Sequence, residues 1–378
     1  MRAARTAAAA ATTLIGATAT ALAAGRFASD AILKVPSGRP LPGDPRLTVH
    51  AVDGSRVTLT RALAALRPGV YGLTDPTGHT VHAVVGPVLD DIPHSADTVV
   101  RALDRIAEGA LEPGASVRLT PELHHGDPAT ALGIAHSDIA VPGELGPLPG
   151  WLVPGPRDTW VIAVHGLGTT RAHPLNLLPF LHGRRVPVLA VGYRGDPDAP
   201  RPPDGLSRLG DAEWRDLDAA LRFAVRHGAN KVVLYGWSTG ATMALHAAAN
   251  SPLRDRVSGL VLDSPVLDKG ATLRALAAAR HTPGPLVPFA VRAAQSRAGL
   301  YGAPRMTMAD AQAIRVPVLI FHGPDDALAP WGPSRELAAG HPRLISLHTV
   351  RDAPHAAMWN ADPARYEEAL RRFLTPLM

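Results

Sequence analysis

"KVVLYGWSTGATMALHAAA", residues 231–249, decides how the chain is read. It opens on a continuous apolar run and closes on an alanine-rich segment of high helix propensity. Between them lies Gly236-Trp237-Ser238-Thr239-Gly240, a G-x-S-x-G pattern. A tight strand-to-helix turn needs small residues two before and two after the serine. Such a turn lifts the Ser238 hydroxyl above a sheet and aims it at the positive end of a helix. Glycine and serine are common, so the five residues alone fit an ordinary turn. The strand before and the helix after make Ser238 a candidate nucleophile.

The same rhythm runs outward from this point. Short Val/Ile/Leu strands recur at "TWVIAVHG" (159–166), "VPVLAVGY" (186–193), "SGLVLDSP" (258–265), "VPVLIFHG" (316–323) and "LISLHTV" (344–350). Helical stretches such as "DAEWRDLDAALRFAVRHG" (211–228) and "DPARYEEALRRFLTPL" (362–377) separate or follow them. Continuous apolar strands alternating with helices predict an α/β domain, a mostly parallel sheet with helices on both faces. We assign it residues 150–378, with residues 267–312 as a Pro-broken insert suited to a lid. Upstream, "RLTVHAV", "RVTLT", "GVYGLT", "TVHAVVGPVL", "SVRLTPEL" and "LGIAHSDIAV" alternate like strands, whereas "ADTVVRALDRIAEGAL" has helical spacing. Residues 35–149 therefore read as a smaller, mainly β module, with "PGELGPLPG" (142–150) as the linker to the main domain.

Active-site groups of open parallel sheets gather at the carboxyl ends of the strands. His355, in "RDAPHAAMWN", follows the last strand and can take the proton that a serine must lose. Asp326, in "FHGPDDALAP", can hold that imidazole in its working tautomer; Asp325 beside it and Asp263 after "GLVLD" are the other candidates. "HGLGTT" (165–170) follows a strand, and the N–H groups of Leu167 and Thr239 are the expected donors to a developing oxyanion.

In this order, Ser238, Asp326, His355 with H-G-x-G upstream, the chain resembles the α/β-hydrolase fold superfamily, within it the branch with prolyl-oligopeptidase-like and serine-aminopeptidase-like domains. "VIAVHGLGTTR", "VLAVGYRGDPDAP", "LYGWSTGA", "LVLDSPVLD", "VLIFHGPDDALAP" and "DAPHAAMWNADPARYEEALRRFL" carry the likeness, which covers about residues 150–378. Its H-G-x-x-D pattern, laid on His322, selects Asp326. One departure is Ala241, where many relatives carry glycine. The resemblance implies a serine hydrolase acting on a carboxylic ester or similar small acyl substrate. A peptidase or an acyltransferase on the same machinery, and a non-catalytic binding protein on the same scaffold, are the other readings.

Composition removes other classes. Net charge is +5 and pI about 9.9, but the arginines are scattered and aromatics are only 4% of the chain, so no nucleic-acid face is expected. There is no cysteine, which excludes disulfides, thiolate metal sites and a cysteine nucleophile. No Walker A loop, G-x-G-x-x-G turn or H-E-x-x-H helix occurs. His124, His125 and Asp127 lie in a loop without further ligands at suitable spacing, so neither metal nor cofactor is expected. Arg171 and His173 read as pocket-lining or simply exposed residues, Trp214 and Trp359 as core or capping aromatics.

At the N-terminus, Arg2 and Arg5 precede an uncharged stretch, Thr6–Gly25, rich in Ala and Thr. That order marks residues 1–34 as a secretory signal or membrane anchor with the start of a linker, and Ala21-Leu22-Ala23 would serve as a cleavage site. The catalytic domain would then lie outside the cytoplasm, and removing residues 1–34 should leave it soluble and active.

Overall fold

The computed structural model describes residues 26–27, 29–34, 37–38, 41, 45–77, 80–300 and 314–378. The uncharged run Thr6–Gly25 and residues 301–312 of the insert lie outside them.

The α/β domain is built on eight strands: β7 (Ser137–Pro142), β8 (Pro147–Val153), β9 (Thr159–Val164), β10 (Val188–Val191), β11 (Lys231–Trp237), β12 (Val257–Asp263), β13 (Val318–His322) and β14 (Ile345–Thr349). Their order is β14-β13-β12-β11-β9-β10-β8-β7. Strands β9 to β14 run parallel, while β8 and β7 pair antiparallel at one edge. Every residue of β9, β10 and β13 is buried, as a sheet covered on both faces requires. Helices Trp214–Arg226 and Thr239–Asn250 close one face through Leu217, Leu221, Met243 and Leu245, while Leu175, Leu181, Tyr366 and Leu370 pack on the other.

Six strands precede this sheet: β1 (Leu47–Asp53), β2 (Arg56–Thr60), β3 (Tyr71–Thr74), β4 (His82–Val88), β5 (Thr98–Glu108) and β6 (Ser116–Thr120). They close into an antiparallel barrel in the order β1-β2-β5-β4-β3-β6. "ADTVVRALDRIAEGAL" is thus strand β5 and not a helix. "PGELGPLPG" is not a linker either: it forms a hairpin turn and most of β8, so the large sheet begins at Ser137, upstream of the junction expected near residue 149.

One feature ties the barrel together and a second fixes it against the site. Arg101, wholly buried, donates from Nε to Gly86 O and from its terminal nitrogens to Ala65 O, Arg67 O and Gly69 O. Burial lowers its pKa to about 10. Asn360, five residues after His355, donates to Val70 O and Pro121 O, and Ala357 packs into the barrel core. The open end of the barrel therefore sits on the loop that carries His355.

The insert holds two helices, Lys269–Ala279 and Val287–Arg297, which pack through Leu273, Leu276 and Ala294 onto Leu167, Leu206 and Leu328. Ile32 and Leu33 are buried in this same cluster, and Arg297 pairs with Asp30. Residues 29–33 are helical. Residues 29–33 are thus a packed part of the domain, contrary to the expectation that residues 1–34 stand apart from it.

Candidate active site

Ser238 ends the connection from β11 and starts the helix Thr239–Asn250 with φ 53° and ψ −118°. A serine pays for that backbone, and such strain is held only where its surroundings fix it. The flanking glycines supply the room. A Cβ at Gly236 would stand 2.3 Å from the Gly240 carbonyl carbon, and one at Gly240 would stand 2.4 Å from Val164 O. Ala241 falls inside the core beneath the helix, where its methyl is accommodated.

From the serine a hydrogen-bonded line runs across three strand ends. Ser238 Oγ donates to His355 Nε2 at 2.6 Å, and His355 Nδ1 donates to Asp326 Oδ2 at 2.8 Å. Asp326 Oδ1 accepts the N–H groups of Leu328 and Ala329 at 2.9 and 2.8 Å, and His322 Nε2 donates to Oδ2 at 3.1 Å. Ser334 Oγ, donating to His322 Nδ1 at 2.8 Å, fixes that ring. Burial alone would raise the Asp326 carboxyl. The adjacent His355 and the bonds from His322 and His355 outweigh it and hold the carboxyl well below the usual range. All three candidate residues are thus brought together. Asp325 instead accepts from Asp352 N–H at 2.8 Å, away from the imidazole.

Asp263 takes a different place. Its carboxyl accepts from Ser264 Oγ at 2.8 Å and from Tyr366 Oη at 3.1 Å, and Tyr366 is hydrogen-bonded to Tyr235. Ser264 Oγ accepts Ala356 N–H at 2.9 Å. Asp263 therefore braces the residue after His355 through Ser264 and makes no hydrogen bond to the ring. Burial pushes its pKa up to about 7.

The backbone donors follow from peptide geometry. Gly166 O accepts from His165 Nδ1 at 3.0 Å, from Thr169 Oγ1 at 3.3 Å and from Tyr193 Oη at 3.3 Å. In a trans peptide the next N–H points the opposite way, so Leu167 N–H is turned from that cluster. Gly166 abuts the nucleophile: a Cβ there would lie 2.4 Å from Ser238 Cβ. Thr239 N–H opens a helix, where no intrahelical acceptor exists. His165 is anchored by Asp196 at 2.7 Å. Burial opposes its charge, but Asp196 and the two ring hydrogen bonds raise its pKa above the usual value. The ties from Tyr193 and Asp196 come from residues 27 and 31 positions away and were not legible in the sequence.

Other expectations sort as follows. His173 is buried beside Trp237, and Arg171 lies over the Trp151 ring at 4.6 Å. Trp359 Nε1 donates to Glu367 at 3.0 Å. Asp127 caps the helix Pro128–Leu132, and His125 pairs with Glu108 at 2.9 Å. Among the described residues no group of three or more side chains could hold a metal ion. Glu122, at the barrel's exit, accepts from Thr170 N–H at 2.7 Å and from Thr170 Oγ1 at 2.9 Å, tying the barrel to the 165–170 loop. Burial raises its pKa, against the pull of those bonds. A cleft of about 60 Å³ opens at His355, between Leu167, Gly168 and Pro354 on one side and Arg67, Tyr71 and Leu119 of the barrel on the other. A larger cavity of about 430 Å³, lined by Glu122, His124 and Arg171, lies across the loop and does not reach the Ser238–His355–Asp326 line.

Residues 159–284 match the family model for the alpha/beta hydrolase fold, and residues 48–120 match one for a domain of unknown function, DUF8805. Among solved structures, the chain is similar to an esterase of Pyrococcus furiosus in a P212121 crystal, at 21% identity over 67% of this chain and 94% of that one, with a TM-score of 0.54. The P21 crystal form of that esterase gives 20%, 67%, 96% and 0.54. A thermophilic esterase from Thermogutta terrifontis is 20% identical over 64% of this chain and 98% of its own, with a TM-score of 0.47. No curated protein matches the chain. The family match and the strand order together establish the fold of the C-terminal domain.

Proposed function

We propose that this chain, whose C-terminal domain has the α/β-hydrolase fold, is a serine hydrolase of carboxylic esters. The reading is carried by the line from Ser238 through His355 to Asp326, with Ser238 on a strained turn at a helix N-terminus. Ser238 Oγ attacks the ester carbonyl carbon as His355 Nε2 takes its proton. The oxyanion is held by Leu167 and Thr239 N–H, at the positive end of the helix. His355 then protonates the departing alkoxide, and Asp326 stabilises the imidazolium in between. Water, deprotonated by His355, attacks the acyl-enzyme; Ser238 takes its proton back and the acid leaves.

Ser238→Ala tests this. Hydrolysis of 4-nitrophenyl acetate should fall by about 10⁴-fold or more, because members of such a line act as a unit. Labelling by a fluorophosphonate, which needs an activated serine, should vanish with it. Activity within tenfold of wild type would refute the assignment.

We also place the enzyme outside the cytoplasm, released or held by the segment Thr6–Gly25. The support is the order Arg2, Arg5, uncharged run. Among the described residues no helix is long and apolar enough to cross a membrane. Protease added to intact cells should digest the enzyme or find it already released; a protected pool with an intact N-terminus would overturn this.

A further inference from the structure

We propose that the preferred substrate is a monoester of a short dicarboxylic acid, and that the barrel recognises its free carboxylate through Arg67 and Tyr71. This rests on the hydrolase reading above and names the substrate of the same site. Both residues line the cleft at His355, opposite Leu167. Tyr71 opens β3 and is 1% exposed; its hydroxyl is covered and, among the described residues, meets no hydrogen-bond partner. Buried hydroxyls are nearly always paired, so one left single at the edge of a reaction cleft points to a ligand atom.

Arg67 is half-buried, and its guanidinium makes no hydrogen bond or ion pair among the described residues. It does not hang loose, because its carbonyl is held at 2.7 Å by Arg101, which also grips Ala65 and Gly69. Arg101 is committed to those carbonyls, which leaves Arg67 to face the cleft. The charge of Asp352, exposed on the loop that carries His355, also reaches Tyr71, but its carboxylate does not pair with Arg67.

A guanidinium fork and a phenolic O–H are together complementary to a carboxylate. The cleft of about 60 Å³ has room for roughly four to six waters at ~10–15 Å³ each. That suits a carboxylate with one or two carbons. A neutral ester of equal length would leave both donors unpaired, and sites built on hydrogen bonds discriminate strongly against such analogues.

The test compares mono-4-nitrophenyl succinate with 4-nitrophenyl butyrate. Wild type should favour the succinate monoester by at least about tenfold in kcat/KM. In Arg67→Gln and in Tyr71→Phe that ratio should collapse toward one, chiefly through KM for the anionic ester. A wild-type preference for butyrate, or variants that lower both esters alike, would overturn the proposal. Fluorophosphonate labelling of the same preparations separates the two readings: a labelled enzyme without anionic preference loses only this inference, and an unlabelled one loses the hydrolase reading. Calorimetry of Ser238→Ala with free succinate addresses recognition apart from turnover. Saturable binding that Arg67→Gln abolishes supports the site; no binding to Ser238→Ala refutes it.

Discussion

Asp326 and Asp263 both feel the charge of His355, yet their surroundings shift their pKa values in opposite directions. Asp326 faces two imidazoles and two N–H donors and stays ionised; Asp263 faces two hydroxyls in a buried site and holds its proton to about pH 7. Only an ionised acceptor stabilises an imidazolium, so the two should separate on mutation. Asp326→Asn should cost kcat about 10⁴-fold, while Asp263→Asn stays within tenfold of wild type; the reverse ranking would move the acid to the end of β12. Stability separates them as well. Asp263 carries a folded pKa of about 7 against an ordinary 3.8, so the folded chain binds the extra proton between those values. Its contribution is full below about pH 4 and is lost as pH rises through 7. Asp326, lowered when folded, contributes above about pH 4, and that contribution is lost as pH falls. Urea midpoints measured from pH 4 to 8 should therefore drift down less in Asp263→Asn than in wild type. Parallel curves would mean that Asp263 ionises normally.

Elements differ in how much of their placement lies in contiguous residues. The turn around Ser238 was legible because strand, paired glycines and helix follow one another within a few residues, and the close approaches at Gly236 and Gly240 are local consequences of that turn. Strand β5 was not. Val99, Val100, Leu103 and Ile106 mimic helical spacing, and three register shifts against β4 break the alternation that would have exposed a strand. Barrel closure, and with it Arg101 as an internal tie, depends on pairings far apart in sequence. Hence Arg67 and Tyr71 gave no signal as cleft residues, and Glu122 gave none as a strut for the 165–170 loop. Arg101→Met tests the tie. It takes this donor from the buried carbonyls of Gly86 and Ala65, each at a cost of about 1–3 kcal/mol, and from the part-buried carbonyls of Arg67 and Gly69. The urea midpoint should fall steeply, and Arg101→Lys should not restore it, because a lysine cannot reach four carbonyls with three donors. A midpoint equal to wild type would show that the barrel closes without this residue.

On the scale of the molecule, barrel, sheet domain and N-terminal segment form one packed body around the cleft. The barrel touches the His355 loop through Asn360 and Ala357 and the 165–170 loop through Glu122. From the other side, Ile32 and Leu33 enter the cluster that holds Leu167, Leu273 and Leu276, and Arg297 donates to Ser29 and Asp30. The place to cut the chain is therefore set by burial and not by where the apolar run looks complete. A chain starting at residue 26 keeps all of these contacts. One starting at residue 35 removes two side chains that are each 1% exposed, worth about 1.5–3 kcal/mol apiece. It also uncovers Leu273 and Leu276 beside Leu167, whose N–H we assign to the oxyanion. The longer chain should match full-length protein in thermal midpoint and in kcat for 4-nitrophenyl acetate. The shorter should melt several degrees lower, show a reduced kcat and aggregate more readily. Ile32→Ala with Leu33→Ala in the longer chain should reproduce most of the loss, which assigns it to apolar burial and not to chain length. Equal midpoints and equal kcat for the two truncations would mean that residues 26–34 rest on the domain without supporting it.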